Sequence, residues 1–369
     1  MVILGIETSC DETAAAVVED GTKILANVVA SSVELHKKTG GIIPEVAARE
    51  QIRCIIPVIE NALKDTKILG YYDTRRLKKE KSLNILVSRY PNIIDAIAVT
   101  VGPGLIGSLL VGVETAKTLA WIWNKPIIPV NHLIAHIYAN WLSSPAQLTP
   151  DSPPTSHPHP QFPLIALVVS GGHTDLVLMK NHGKIKWLGG TRDDAAGECF
   201  DKCARVLGLG YPGGPAIAAT AAKLQITNYK LQIKLPRPMI EEKNFDFSFS
   251  GLKTAVIREV SRVSKVSQVS KELSFEIQEA ITDVLVEKTI RAAGKFKVKS
   301  ILLAGGVAAN SRLREKFQSH PLITNYQLLI PQPQLCTDNA AYVSSFAHFN
   351  FKPIPWRRVT VKPGLEITQ

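Results

Sequence analysis

Apolar residues fall along this chain in two rhythms. Short unbroken runs at Val2–Glu7, Ala96–Val101, Leu164–Ser170, Asp175–Met179 and Ser300–Ala304 predict buried strands. Stretches with apolar positions three and four apart predict helices at Pro44–Leu63, Leu105–Trp123, Ala195–Leu207, Leu252–Ser261, Ser270–Ala293 and Ser311–Gln318. Strands alternating with helices make this an α/β fold. Ala96 to Val113 is uncharged and long enough to span a membrane. Gly102-Pro103-Gly104 breaks it and Asp95 and Glu114 bracket it, so it is read as strand, turn and helix.

The two halves echo each other. Ile3 to Val18 and Ile165 to Leu178 each run from an apolar strand through a short polar turn into a second apolar strand. Such turns aim several backbone N–H groups at one place, an arrangement that suits phosphate. Two of them in a duplicated α/β chain predict a nucleotide held in a cleft between two related domains. Thr66–Tyr90, with Arg75, Arg76, Lys78, Lys79 and Lys81, and the Pro- and Ser-rich Ser143–Pro163 break the pattern and are read as surface insertions.

Composition agrees with a folded protein: 369 residues, enough for two cores, and 45% hydrophobic. The formal charge of +11 favours a polyanionic partner such as tRNA, although a generally basic enzyme fits equally well. The chain opens on a strand with no basic region or cleavage site ahead of it, so no secretory signal is expected and the cytoplasm is the expected location. Five cysteines without CxxC spacing are read as buried free thiols, Cys199 and Cys203 on one helix face.

His132 and His136 stand four apart, which on a helix is a metal-ligand spacing. A zinc peptidase would need Glu where Leu133 stands. Two histidines need a third ligand, and Asp338 in Cys336-Thr-Asp-Asn339 is the best distant candidate; a merely polar face remains the alternative. Asp194, Glu198 and Asp201 share a helix face or its flank, either to complement the helix dipole or to bind hydroxyls or metal-bound groups. Gly208–Pro215 is read as a rigid turn. The Gly305-Gly306 pair in the run Ile301 to Asn310 would let a ring or phosphate approach the backbone, or simply pack strand on helix. Phe245, Phe247 and Phe249 are read as core rather than stacking platform.

Nine blocks in order from Gly5 to Ala341, namely GIETSCDETAAAVVEDG, GGIIPEVAARE, VGPGLIGSLLVG, VNHLIAH, VVSGGHTDL, DDAAGECFDKCARVLGLGYPGGP, FDFSFSGLKTA, AGGVAAN and CTDNAA, resemble the TsaD family. These are bacterial counterparts of the catalytic subunit of the KEOPS complex, once described as O-sialoglycoprotein endopeptidases. The resemblance implies an ASKHA fold (actin-like, Hsp70-like, sugar-kinase-like) of two related α/β domains, expected at 1–134 with 345–369 and at 135–344. It implies transfer of threonylcarbamoyl from threonylcarbamoyl-adenylate to the exocyclic amine of the adenosine 3′ of the anticodon, in tRNAs reading codons that begin with A, with release of AMP. His132, His136 and Asp338 are then ligands of one divalent metal ion, iron or zinc. Val168, Val169, Ser170, Gly171, Gly172, Asp201, Gly214 and Asn310 contact the adenylate, an ATP- or AMP-type ligand, and Asp11 and Glu12 act in catalysis. The implied partners are tRNA, a dimeric TsaB-like paralogue, a small TsaE-like P-loop ATPase and an upstream threonylcarbamoyl-adenylate synthase, with no membrane. Two positions depart from the family: Gln51, where His is common, and Ala340-Ala341-Tyr342, where a Gly-Ala-Met run is common.

Three rival readings stay open on the residues. A sugar-kinase-like or Hsp70-like ATPase would share the fold but has no use for the histidine pair. A metallopeptidase lacks its general base, and a non-enzymatic scaffold of a tRNA-modifying complex needs no catalysis. The basic segment Arg75–Lys81 is expected to add to tRNA affinity.

Overall fold

A computed structural model describes residues 1–66, 90–143, 159–225 and 233–368 of the protein, so Arg75–Lys81 and most of both expected insertions lie outside the described residues. The chain divides into two compact units, Met1–His159 with Asp338–Gln369, and Pro160–Thr337.

In the first unit β1 (Val2–Glu7), β2 (Glu12–Glu19), β3 (Lys23–Ser31), β4 (Ala96–Gly102) and β5 (Ile127–Asn131) form one sheet in the order β3-β2-β1-β4-β5. The β1, β2 and β3 strands are antiparallel neighbours, and β1, β4 and β5 run parallel. Central β1 and β4 are buried along almost their whole length, which is why they read as unbroken apolar runs. Pro129 is tolerated in β5 because that strand lies at the sheet edge. Helices α1 (Val33–Lys37), α2 (Pro44–Asp65), α3 (Ile106–Trp123) and α4 (His132–Ile137) follow their strands, and the chain returns to this unit as a C-terminal helix, Ala341–Phe349. A Cβ on Gly5 would collide with the Ala340 carbonyl and Ser344, so only glycine lets that helix lie directly on β1.

The expected boundaries at 134/135 and 344/345 differ from those seen at 159/160 and 337/338. Aromatic packing accounts for the difference. The Tyr138 ring meets Phe346 at 5.3 Å and Phe349 at 5.9 Å, and Trp141 meets Phe349 at 6.0 Å, which ties the segment after α4 to the C-terminal helix.

The second unit repeats the plan. Its strands β6 (Leu164–Val169), β7 (Thr174–Asn181), β8 (Lys184–Gly190), β9 (Ser300–Ala304) and β10 (Gln327–Leu329) are ordered β10-β9-β6-β7-β8, with β6 in the place of β1. Again three strands are antiparallel neighbours and three run parallel. This is the duplicated α/β architecture expected of the ASKHA fold. Around the sheet lie α5 (Ala196–Val206), α6 (Gly213–Gln225), α7 (Ser250–Ser261), α8 (Ser270–Phe296), α9 (Ser311–Ser319) and α10 (Pro333–Cys336). The run Gly208–Pro215 is a turn only as far as Pro212, since α6 begins at Gly213. Phe245, Phe247 and Phe249 belong to the core, as expected.

All five cysteines are free. Cys199 and Cys203 are buried with their sulfurs 4.0 Å apart, and Cys336 is buried, whereas Cys10 and Cys54 are only half-buried. Among the described residues, no helix is long and apolar enough to cross a membrane.

Candidate metal centre and glycine-rich turns

β5 runs directly into α4. The Asn131 side chain accepts hydrogen bonds from the backbone N–H of Leu133 at 3.0 Å and of Ile134 at 3.3 Å, which caps the helix and fixes where it starts. His132 and His136 therefore stand one turn apart on one face, and the turn before the C-terminal helix brings Asp338 to them. Nε2 of His132 and Nε2 of His136 are 3.2 Å apart; Asp338 Oδ1 is 3.2 Å from the second and 3.7 Å from the first. Donors bound to one ion at about 2.0–2.1 Å in tetrahedral array stand roughly 3.3 Å from one another, so this triangle fits a divalent metal. The donor set of two imidazoles and one carboxylate suits zinc or ferrous iron.

Electrostatics support the same conclusion. Burial resists a charge on His132, but Glu7, then Asp338, raise its pKa to about 9. Burial and then the charge of His132 lower that of His136. Burial also opposes ionisation of Asp338, yet the His132 charge and the hydrogen bond from His136 pull it down to about 2. A positive charge is thus favoured at this spot, and without an ion a proton on His132 supplies it.

Each ligand has its own support. Glu7, fully buried at the end of β1, places Oε2 3.0 Å from His132 Nδ1; Ser9 Oγ lies 3.2 Å from the same nitrogen. Glu7 is held in turn by the Ser9 N–H and the Thr100 hydroxyl, both at 2.6 Å. With Nδ1–H donated to Glu7, Nε2 is left with its lone pair facing the triangle. His136 Nδ1, by contrast, is buried with no partner among the described residues. The Tyr342 ring packs against His136 at 4.5 Å, and its hydroxyl lies 3.5 Å from Nε2.

Asp11 ends the turn after β1 and Glu12 opens β2, beside this group. Burial first, then the charges of Asp338 and Asp11, push the Glu12 carboxyl up to about 10, while Ser31 Oγ donates to it at 3.2 Å. Gln51 on α2 secures the turn: its Nε2 donates to the carbonyls of Cys10 at 2.9 Å and Glu12 at 3.1 Å, with that of Thr8 at 3.4 Å.

The expected adenylate contacts all lie in the second unit, where several gather at the ends of β6 and β9. Val168 and Val169 are buried, so only their backbone can meet a ligand. The turn from Ser170 to His173 closes through the Ser170 N–H to the His173 carbonyl at 2.9 Å, and Gly171 and Gly172 face open space. A Cβ on Gly197 would meet Ser170 and Gly171, and one on Gly305 (φ +87°) would meet Val169, so three backbone turns touch here. Asp201 accepts from the Gly213 N–H at 2.6 Å and so pins the start of α6, next to an open Gly214. Asn310 is occupied structurally: its Oδ1 caps α9 through the Leu313 N–H at 3.0 Å, and its Nδ2 donates to Gln278 Oε1 at 3.1 Å. Asp194 and Glu198 pair with Lys202 at 2.6 and 2.9 Å.

Glu7, Ser9 and Thr100 were not singled out from the sequence. A lone carboxylate ending an apolar strand is a usable signal, since a buried charge requires a partner. Gln51 and Tyr342 were visible there only as departures from a family pattern.

Comparisons with known proteins identify the family. The family model described as TsaD: tRNA N6-adenosine threonylcarbamoyltransferase matches residues 23–69 and 87–345. A protein of that name from Thermomicrobium roseum is 46% identical over 370 residues, covering 95% of this chain and 92% of its own length. One from Bacillus cereus is 45% identical over 373 residues, covering 99% and 96%. Among solved structures, HypF of T. kodakarensis aligns over 95% of this chain and 47% of its own with TM-score 0.54 at 12% identity, a likeness of fold alone.

Proposed function

The chain belongs to the TsaD family of tRNA N6-adenosine threonylcarbamoyltransferases, and on that premise we propose a metal-assisted acyl transfer from threonylcarbamoyl-adenylate to an adenosine of tRNA. The observation that carries the metal half of the reading is the triangle of His132, His136 and Asp338 at ligand spacing. His132, His136 and Asp338 would hold the ion, which would supply Lewis-acid polarisation of the carbonyl that is attacked.

The chain's own residues do the rest. Glu7 keeps His132 in the tautomer whose Nε2 can bind. Gln51 holds the turn that carries Asp11 and Glu12 beside the centre. The glycine turn, backed by Gly197 and Gly305, offers the backbone N–H groups of Gly171 and Gly172 to the adenylate phosphate, where charge develops as the bond breaks. The exocyclic amine of adenosine forms a bond to the carbonyl carbon, the bond from that carbon to the phosphate oxygen breaks, and AMP departs with the electron pair. The amine gives up one proton, for which Asp11 is the proposed acceptor, since burial and its acidic neighbours keep Glu12 protonated near neutrality. No covalent enzyme intermediate is needed, because the mixed anhydride already carries a good leaving group. An aromatic amine is a weak nucleophile, so positioning supplies much of the rate. The finer assignments follow the same reading: the acceptor is the adenosine 3′ of the anticodon in tRNAs for codons beginning with A, and a TsaB-like paralogue and a TsaE-like ATPase assist turnover in the cytoplasm.

The test is a reconstituted reaction with threonylcarbamoyl-adenylate and tRNA. Equal amounts of modified nucleoside and AMP are expected. AMP without modified nucleoside would mean hydrolysis only, and neither product would leave a scaffold.

A further inference from the structure

We propose that Arg314 is a positioning residue that holds two segments at once: the glycine turn after β9 and the short α10 segment that leads into Asp338. The proposal rests on the adenylate and metal readings above and extends both to a residue outside either contact set.

Arg314 lies on α9 between Arg312 and Lys316, but its side chain takes a different course. Arg312 pairs with Glu279 at 2.6 Å and Lys316 pairs with the same carboxylate at 2.9 Å, so both bind α9 to α8. Half-buried Arg314 instead directs its guanidinium at neutral acceptors. Its Nε donates to the Ala308 carbonyl at 2.7 Å, and its Nη2 donates to the Pro331 carbonyl at 2.7 Å and to Cys336 Sγ at 3.2 Å.

Those acceptors sit on segments with assigned tasks. Ala308 belongs to the single turn Gly306–Ala309, and its N–H bonds the Gly305 carbonyl at 2.9 Å. Gly305 lies against Val169, and a Cβ on Gly306 would meet nothing within 4 Å, so this backbone is open to a ligand. Pro331 and Cys336 flank and end α10; Cys336 is fully buried, two residues before Asp338. A guanidinium carries its donors in one rigid plane, so seating Nε on the first segment dictates where Nη2 aims at the second. A lysine has one nitrogen on a flexible stem and cannot fix the two in register.

Arg314→Lys keeps the charge and removes the fork. Wild-type protein and the variant are titrated with AMP and, after chelator treatment, with Zn²⁺ and with Co²⁺, whose visible spectrum reports ligand geometry. Roughly 10-fold weaker binding of both AMP and Zn²⁺ is expected, with an altered Co²⁺ spectrum. An arginine that only stabilises the fold would lower the thermal midpoint and leave both affinities and the spectrum as in wild type, and that result would overturn the proposal. Weakening of one probe alone would overturn the shared role as well. Arg314→Ala is the second variant: added ethylguanidine should restore both affinities, and restoration of neither would count against the fork. A wild type that binds no AMP would sink the adenylate reading, and one that binds no Zn²⁺ the metal reading, and the proposal would fall with either.

Discussion

Glu7 Oε2 and His132 Nδ1 face each other at 3.0 Å, joining the end of the central strand of the first sheet to the start of the helix that carries both histidines. The carboxylate is fully buried, and besides the imidazole it contacts only the Ser9 N–H and the Thr100 hydroxyl in the interactions seen. Strand register and ligand tautomer are thereby coupled.

Glu7→Gln should therefore weaken Zn²⁺ binding by about 10- to 100-fold, because the amide can present N–H to Nδ1 and favour the wrong tautomer. Isothermal titration of chelator-treated protein measures this. Unchanged affinity would show that His132 is oriented without Glu7.

Gln51 is the next test. Its Nε2 serves two nearby carbonyls of the turn before β2 and faces a third. Gln51→Ala should cost about 1–3 kcal/mol of stability through unsatisfied buried groups. Gln51→Glu should cost more at neutral pH, since a carboxylate cannot donate to those carbonyls. Denaturant melts of the two variants decide the order, and the reverse order would contradict it.

Gly5→Ala tests the contact under the C-terminal helix. The added methyl has no room against Ala340 and Ser344, and overpacking of this kind costs about 1–3 kcal/mol. The helix and the turn before it carry Tyr342 and Asp338, so metal affinity should fall together with thermal stability. A loss of stability with full metal affinity would separate the helix from the site.

Asp193 gives a pH test in the second unit. Burial works against its charge, but hydrogen bonds from the Ser248 hydroxyl, the Phe249 N–H, and the Ser250 hydroxyl and N–H hold its pKa below the ordinary 3.8. A lowered native pKa adds stability that is present in full above the unfolded value and is lost as pH falls through the native one. Asp193→Ala should cost about 1 kcal/mol near neutrality through the lost cap at the start of α7, and the gap should close below roughly pH 3–4. A gap that persists in acid would assign the effect to packing.

Much of the architecture was legible in the sequence. The central strands β1, β4, β6 and β9 show as apolar runs because both faces of each sheet are covered. Edge strands were harder to see. Lys184–Gly190 alternates charge with apolar residues on the outermost strand of its sheet, and Ile127–Asn131 contains a proline that only an edge accepts. α6 was lost in its own opening, a Gly-Pro run followed by alanines with little amphipathic contrast. At the site, spacing alone reached the His132 and His136 pair, and Asp338 came with a polar cluster far along the chain. Glu7 and Tyr342 lie inside apolar segments, so their partners became visible only once strand and helix were packed together. Asn310, expected at the adenylate, also caps a helix, a use that its position just before Ser311 fits.

The most direct measurement of the central claim is single-turnover transfer from threonylcarbamoyl-adenylate to tRNA by chelator-stripped protein, before and after one equivalent of Fe²⁺ or Zn²⁺ is restored, with Asp338→Ala run alongside. Modified adenosine and AMP should form in equal amounts with the restored protein, and at least 100-fold more slowly in the stripped protein and in Asp338→Ala, as loss of about 3 kcal/mol of charge stabilisation requires. Full-rate transfer by stripped protein, or by Asp338→Ala with no bound metal, would contradict it.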